Sequence, residues 1–225
     1  MRAVVFDFDG VILDTESHEY RSFQELYHAH GVELPAERWQ EVIGSSDSTF
    51  DPYAHLEELV GRKLDFSALM DERRRSHLEG IARERELPGV VSVLDQARRL
   101  GWGVGLASSS NREWVEGHLT NLGLLDRFDV IRTREEVERS KPDPALYRLA
   151  VEGLGVEPGE AVALEDSPNG ALAAKRAGLK CIIVPHAVTA GMAFCEVDDR
   201  LHSLEELDLE AFAARVAGAT AADRP

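Results

Sequence analysis

Asp7 and Asp9 stand one residue apart where an apolar run, Ala3-Val4-Val5-Phe6, gives way to Gly10. Two carboxylates about 4 Å apart repel by roughly 4 kcal/mol at an effective dielectric near 20. Such a pair at a strand end therefore calls for a cation or a shared proton. In open α/β sheets ligands bind beyond the carboxyl ends of the strands, which makes this position a candidate site.

Three further segments place polar groups at predicted strand ends or helix starts: Ala107-Ser108-Ser109-Ser110-Asn111, Ser140-Lys141-Pro142-Asp143-Pro144 and Leu164-Glu165-Asp166-Ser167-Pro168. Asp7, Asp9, Glu165 and Asp166 offer hard oxygen ligands without histidine or cysteine, a set that favours magnesium over zinc. Lys141 supplies a positive point charge, and Ser108, Ser109 and the amides opening the next helix can bind phosphate oxygens. Together these parts suit phosphoryl transfer. Asp7 would attack phosphorus and become an aspartyl phosphate. Asp9 would protonate the leaving alkoxide and later deprotonate water, with its backbone carbonyl toward the metal.

Each motif also has a plain structural reading. Ser110 with Glu113 spells a capping box, Ser167 with Pro168 an N-cap followed by proline at N1, and Asp143 with Pro144 a second cap of that kind. The histidines, His18 included, show no metal-binding spacing. The run Arg73-Arg74-Arg75 reads as a solvated helix face from which an arginine could reach substrate. Cys181, within Cys181-Ile182-Ile183-Val184, reads as a buried thiol.

Elements must bring these segments together. After the first strand, helical periodicity fills Thr15 to Leu87, with helices expected over 15–31, 35–43, 52–60 and 67–85. From Pro88 the pattern alternates: helix 90–100, strand 103–107, helix 111–122, strand 129–133, helix 143–154, strand 161–164, helix 167–177, strand 180–184. Alternation of this kind predicts an α/β fold, a doubly wound parallel sheet of strand order 3-2-1-4-5. The helical stretch splits it, so the expected organisation is a core of residues 1–14 and 88–225 with an inserted four-helix cap over 15–87. The two joints must lie close together, and the tail beyond Gly218 is expected to fray.

The 225 residues include 41 acidic and 25 basic side chains, a formal charge of −16. That field opposes nucleic acid and anionic membrane surfaces, so an anionic small substrate needs local cations. No run of about 18 apolar residues occurs, and Asp7 and Asp9 interrupt the N-terminal apolar stretch, which points to a cytoplasmic protein. No long apolar repeat demands a partner, and a monomer is expected.

The four segments Asp7-Phe8-Asp9-Gly10, Ser108, Lys141-Pro142 and Glu165-Asp166 resemble, in order, the motifs of the haloacid dehalogenase superfamily. The stretches 7–15, 107–110 and 165–170 look most like its β-phosphoglucomutase-like branch. The resemblance implies a Rossmannoid core with a helical cap, and Mg2+ as cofactor. An aspartate at position 9 implies a phosphatase or mutase rather than a dehalogenase or phosphonatase. Where the family's mutase uses a cap arginine and a cap histidine for a second phosphate, this chain has Asp47 and Glu19. The expected activity is therefore a phosphatase acting on a small phosphorylated metabolite such as a sugar phosphate, with a β-phosphoglucomutase-type mutase as the alternative. A signalling receiver domain would share the acidic strand ends but not the length or the insertion. Substrate choice is expected to fall to cap residues: Thr15, Glu16, Glu19, Gly44, Arg74 and Arg75.

Overall fold

The computed structural model describes residues 1–43 and 50–222. Among these residues, six parallel strands form one sheet in the order β3-β2-β1-β4-β5-β6: β1 Ala3–Phe6, β2 Gly103–Ala107, β3 Val130–Arg132, β4 Ala161–Glu165, β5 Lys180–Ile183 and β6 Asp199–Arg200. The central strands are apolar on both faces, as strands covered by helices on both sides must be. Val4 and Phe6 pack with Val104, Leu106, Val162 and Leu164 beneath helices α5 (Val90–Leu100), α6 (Arg112–Leu122) and α9 (Leu209–Ala222). Ala3, Val5, Ala161 and Ala163 face α7 (Ala145–Leu154) and α8 (Pro168–Ala177). The doubly wound order predicted for the first five strands is the one observed.

Strand register decides where the polar strand ends meet. Phe6 pairs with Leu106 on one side and Leu164 on the other, so the next residues, Asp7, Ala107 and Glu165, stand at one level. The period of two puts Asp7 and Glu165 on the same face of the sheet.

Between β1 and α5 lie α1 (Thr15–Ala29), α2 (Ala36–Trp39), α3 (Pro52–Val60) and α4 (Phe66–Ile81). They share a hydrophobic cluster of their own, with Phe23, Tyr27, Trp39, Phe50 and Leu56 buried in it. The chain leaves and re-enters at adjacent points, since the Leu87 amide donates to the Ile12 carbonyl at 2.8 Å. Helix α4 stops at Ile81 and not near Arg85; Arg83 and Glu84 make single-turn bonds to Gly80 and Ile81 before the chain reaches that contact. Helix α2 is shorter than the spacing predicted, because its last turn closes by bonds such as Val42 to Trp39 while Trp39 and Ile43 turn inward.

Two features escape the hydrophobic pattern. β6 has only two polar residues and is held by Asp198, whose carboxylate accepts from the Cys181 amide at 2.9 Å and pairs with Lys175 and Lys180. The C-terminal helix continues through Ala222, past the point at Gly218 where fraying was expected. No helix among the described residues is long and apolar enough to cross a membrane.

Candidate active site

Lys141 is the hub of the buried charges. Its ammonium, 1% exposed, lies 2.8 Å from Asp7 Oδ1 and 2.7 Å from Glu165 Oε1. Asp7 Oδ1 also accepts from the Phe8 amide at 2.7 Å, and Glu165 accepts from the Tyr147 hydroxyl and, at 3.4 Å, from Ser167 Oγ. Asp166 Oδ2 lies 2.9 Å from His186 Nε2. Carboxylate oxygens of Asp7, Glu165 and Asp166 all come within 4.8 Å of one another.

This cluster is under electrostatic tension. Burial pushes the Asp7 carboxyl well above its usual range, Glu165 adds to the rise, and Lys141 opposes it. Burial also raises Asp166, against the pull of His186. Burial works against charge on Lys141, yet Asp7 and Glu165 together hold its pKa above the ordinary lysine value. Three buried carboxylates with one lysine and one histidine are under-compensated, and their donors are all hard oxygens, so they fit a divalent cation such as Mg2+.

Two glycines make room for these groups. Gly10, at φ +76°, turns the chain where a Cβ would lie 2.5 Å from Asp166 Oδ2. At Gly170, in the first turn of α8, a Cβ would lie 1.9 Å from Glu165 Oε2. Gly170→Ala is expected to cost about 1–3 kcal/mol by overpacking, read as a fall in the urea midpoint; an unchanged midpoint would show that the carboxylate relocates freely.

Asp9 is oriented differently. Its Oδ1 accepts from Thr15 Oγ1 at 2.7 Å and Trp114 Nε1 at 3.0 Å, and its Oδ2 from Ser110 Oγ at 2.6 Å and Ser108 Oγ at 3.4 Å. Four donors thus hold the Asp9 carboxylate, and among the described residues the acidic group consists of Asp7, Glu165 and Asp166. Ser110 is not a helix cap. Asn111 caps α6 by accepting from the Trp114 amide at 2.8 Å, which frees Ser110 for Asp9. Ser167 does cap α8, accepting from the Gly170 amide. Asp143 does not cap α7: the N-cap there is Pro144, and the Asp143 carboxylate accepts from the Ala145 amide in a turn just before the helix.

The helix-start amides expected to face phosphate are partly engaged, since Ser110 N donates to Ser108 Oγ and Arg112 N to Glu135. Ser108 is fully buried, and the Ser109 hydroxyl is buried without a hydrogen-bond partner, which leaves it free to meet a ligand oxygen.

A cleft of about 950 Å³ runs from Asp9 between α4 and α6. Thr15, Glu16, Glu19, Arg74 and Ser109 line it. Arg75 is exposed and is not among the described residues lining the cleft, and Gly44 and Asp47 lie outside the described residues. Glu16, half-buried, is pushed well up by burial and by the charges of Asp166 and Asp9, so it faces the acidic centre. Arg73, expected on a solvated face, is instead tucked in, 2.9 Å from Glu19 and stacked over the Phe23 ring. Glu19 also lies 3.1 Å from His77 Nδ1, out of line for a hydrogen bond.

Four residues of this site, Tyr147, His186, Trp114 and His77, were not singled out from the sequence. His186 lies three residues beyond β5, so the strand-end rule that found Asp7 would have found it. Tyr147 and Trp114 sit on amphipathic helices where an aromatic reads as packing.

A sequence profile of haloacid dehalogenase-like hydrolases matches residues 4–184. The putative phosphatase YhcW of Bacillus subtilis is 48% identical over 209 residues, covering 93% of this chain and 94% of that protein. Hexitol phosphatase B of Escherichia coli is 31% identical over 218 residues, covering 91% and 93%. The crystal structure of CbbY from Rhodobacter sphaeroides in complex with phosphate superposes with a TM-score of 0.73 at 31% identity, covering 95% of this chain and 100% of that one.

Proposed function

The chain belongs to the haloacid dehalogenase-like hydrolases, as a phosphoric monoester hydrolase of the β-phosphoglucomutase-like branch, and on that premise we propose a Mg2+-dependent phosphatase for a small phosphorylated metabolite. It works as a monomer in the cytoplasm, on a sugar phosphate or similar phosphomonoester, with residues 15–87 acting as a cap over a core of 1–14 and 88–225. The observation that carries this reading is the buried Asp7–Lys141–Glu165 array beside Asp166 at the end of the central strand. The names of the phosphatase relatives support the substrate class.

Asp7 Oδ1 is engaged by Lys141 and the Phe8 amide, which leaves Oδ2 to attack. An Asp7–phosphorus bond forms as the bond to the leaving oxygen breaks, and Asp9 gives that oxygen a proton. Water then attacks the aspartyl phosphate, Asp9 takes the proton back, and phosphate leaves. Lys141 has three N–H donors and spends two on Asp7 and Glu165, so the third serves a phosphate oxygen. Ser108 and Ser109 bind the remaining phosphate oxygens. Asp7, Glu165, Asp166 and the Asp9 carbonyl would hold Mg2+, which when bound neutralises charge on the phosphoryl group and its carboxylate attacker.

Glu19 favours hydrolysis over mutase chemistry. It takes up the charge of Arg73, which is then not free to hold the second phosphate that a bisphosphate intermediate carries. A screen of sugar, polyol and nucleotide monophosphates is expected to release inorganic phosphate with Mg2+ and none with chelator. Full release in chelator would remove the metal from the mechanism. With β-glucose 1-phosphate and a bisphosphate activator, free phosphate and no glucose 6-phosphate is the expected product.

A further inference from the structure

We propose that Trp114 is a positioning residue for Asp9 and that it ties the acid–base carboxylate to the cap through His77, an inference that rests on the acid–base role proposed above. The indole N–H of Trp114 donates to Asp9 Oδ1 at 3.0 Å across 105 residues of chain. An indole nitrogen only donates, unlike the hydroxyls of Thr15, Ser108 and Ser110, which can turn and accept. Trp114 therefore commits Oδ1 to accepting and turns Oδ2 toward Ser108 and Ser110, which lie 3.4 and 2.6 Å away. Among the four donors it is the one that fixes which way the carboxylate faces.

The ring that carries this N–H is itself held from the cap. His77 of α4 lies parallel to the indole, 4° between planes and 5.8 Å between centroids, and His118 meets it edge-on at 4.4 Å. His77 in turn adjoins Glu19 of α1. A row of side chains, Glu19, His77, Trp114 and Asp9, thus runs from cap to core, and it crosses between the two at the His77–Trp114 stack. With the cap displaced, the indole loses its partner on that side, and the N–H that orients the Asp9 carboxylate is less firmly held.

Proton donation matters in proportion to how poor the leaving group is. A sugar alkoxide needs the Asp9 proton as its bond to phosphorus breaks, whereas p-nitrophenolate leaves as a stabilised anion. The parameter kcat/KM reports only steps through that bond cleavage, so hydrolysis of the shared aspartyl phosphate drops out. Trp114→Phe keeps a ring for His77 to stack on and deletes the donor. Its kcat/KM is expected to fall about tenfold for glucose 6-phosphate and about twofold for p-nitrophenyl phosphate. His77→Ala should shift the same ratio by about threefold, a readout that survives if Trp114→Phe folds poorly. Asp9→Asn is the reference and should show the largest ratio change. If Asp9→Asn is selective but Trp114→Phe and His77→Ala lower both substrates equally, Trp114 is only a packing residue and the proposal fails. If Asp9→Asn itself is unselective, the acid–base reading fails and the proposal with it.

Discussion

Asp7→Asn is expected to lower turnover by at least about 10⁴-fold, the scale on which an enzyme loses its nucleophile, while leaving the fold intact. Asparagine keeps the shape of the side chain, and its carbonyl oxygen can still accept from Lys141 and the Phe8 amide at the 2.8 and 2.7 Å contacts. What it lacks is the charged second oxygen. The same burial sets the effect on stability. Because burial and Glu165 raise the Asp7 carboxyl above its ordinary value of 3.8, the folded state binds that proton more tightly than the unfolded chain. The stability this confers is fully present below pH 3.8 and is lost as pH rises through the raised folded-state value. At neutral pH in chelator, keeping charge on this buried carboxyl is thus a net cost that the amide removes. The variant should unfold at a temperature equal to or above that of the wild type. Acid-quenched wild-type enzyme should carry a phosphoryl group on the peptide containing Asp7, and the variant none. Turnover above about 1% of wild type would exclude Asp7 as nucleophile.

What was readable in advance and what was not divides along a physical line. Buried strands and their polar ends are written locally: four consecutive apolar residues before Asp7, and Ala161 to Leu164 before Glu165, needed no knowledge of distant chain. The sheet order then comes from alternation and the switch-point rule, and it brings Lys141 onto Asp7 and Glu165. Side-chain partners across the fold have no such local record. Nothing near Trp114 states that its N–H will meet Asp9, and the neighbouring Ser110 carries a better capping sequence than the role it fills. Arg73 shows the same limit among the helices between β1 and α5. In sequence it is one of three equivalent arginines, and only the packing of α1 against α4 singles it out for Glu19, while Arg74 lines the same cleft without that partner. Even β6 is accompanied by polar contacts of Asp198 rather than apolar residues of its own.

Replacing Lys141 with methionine should be the most damaging single change to stability. The side chain is 1% exposed and fills its space with an ammonium shared by Asp7 and Glu165, so a methionine of similar length restores volume but not charge. Removing one partner of a buried ion pair costs about 3–5 kcal/mol, because the charge left behind is neither solvated nor paired. Here the remaining carboxylates, Asp7, Glu165 and Asp166, also repel one another within 4.8 Å. They can escape by taking up protons, which makes the loss pH-dependent. Without Lys141, which opposes the rise at Asp7 and Asp166, both carboxyls move further above their ordinary value of 3.8. Destabilisation relative to wild type should then be largest near pH 8 and shrink steadily on acidification, as the folded variant takes up protons on these carboxylates. Urea titrations at a series of pH values measure this directly. A deficit that stays constant or grows on acidification would mean that the cluster does not carry the charge assigned to it. Magnesium added near pH 8 should recover part of the stability by neutralising the same carboxylates. It should not recover phosphate hydrolysis, which is expected to stay about 10²- to 10³-fold down for want of the charge that Lys141 presents to the phosphoryl oxygens.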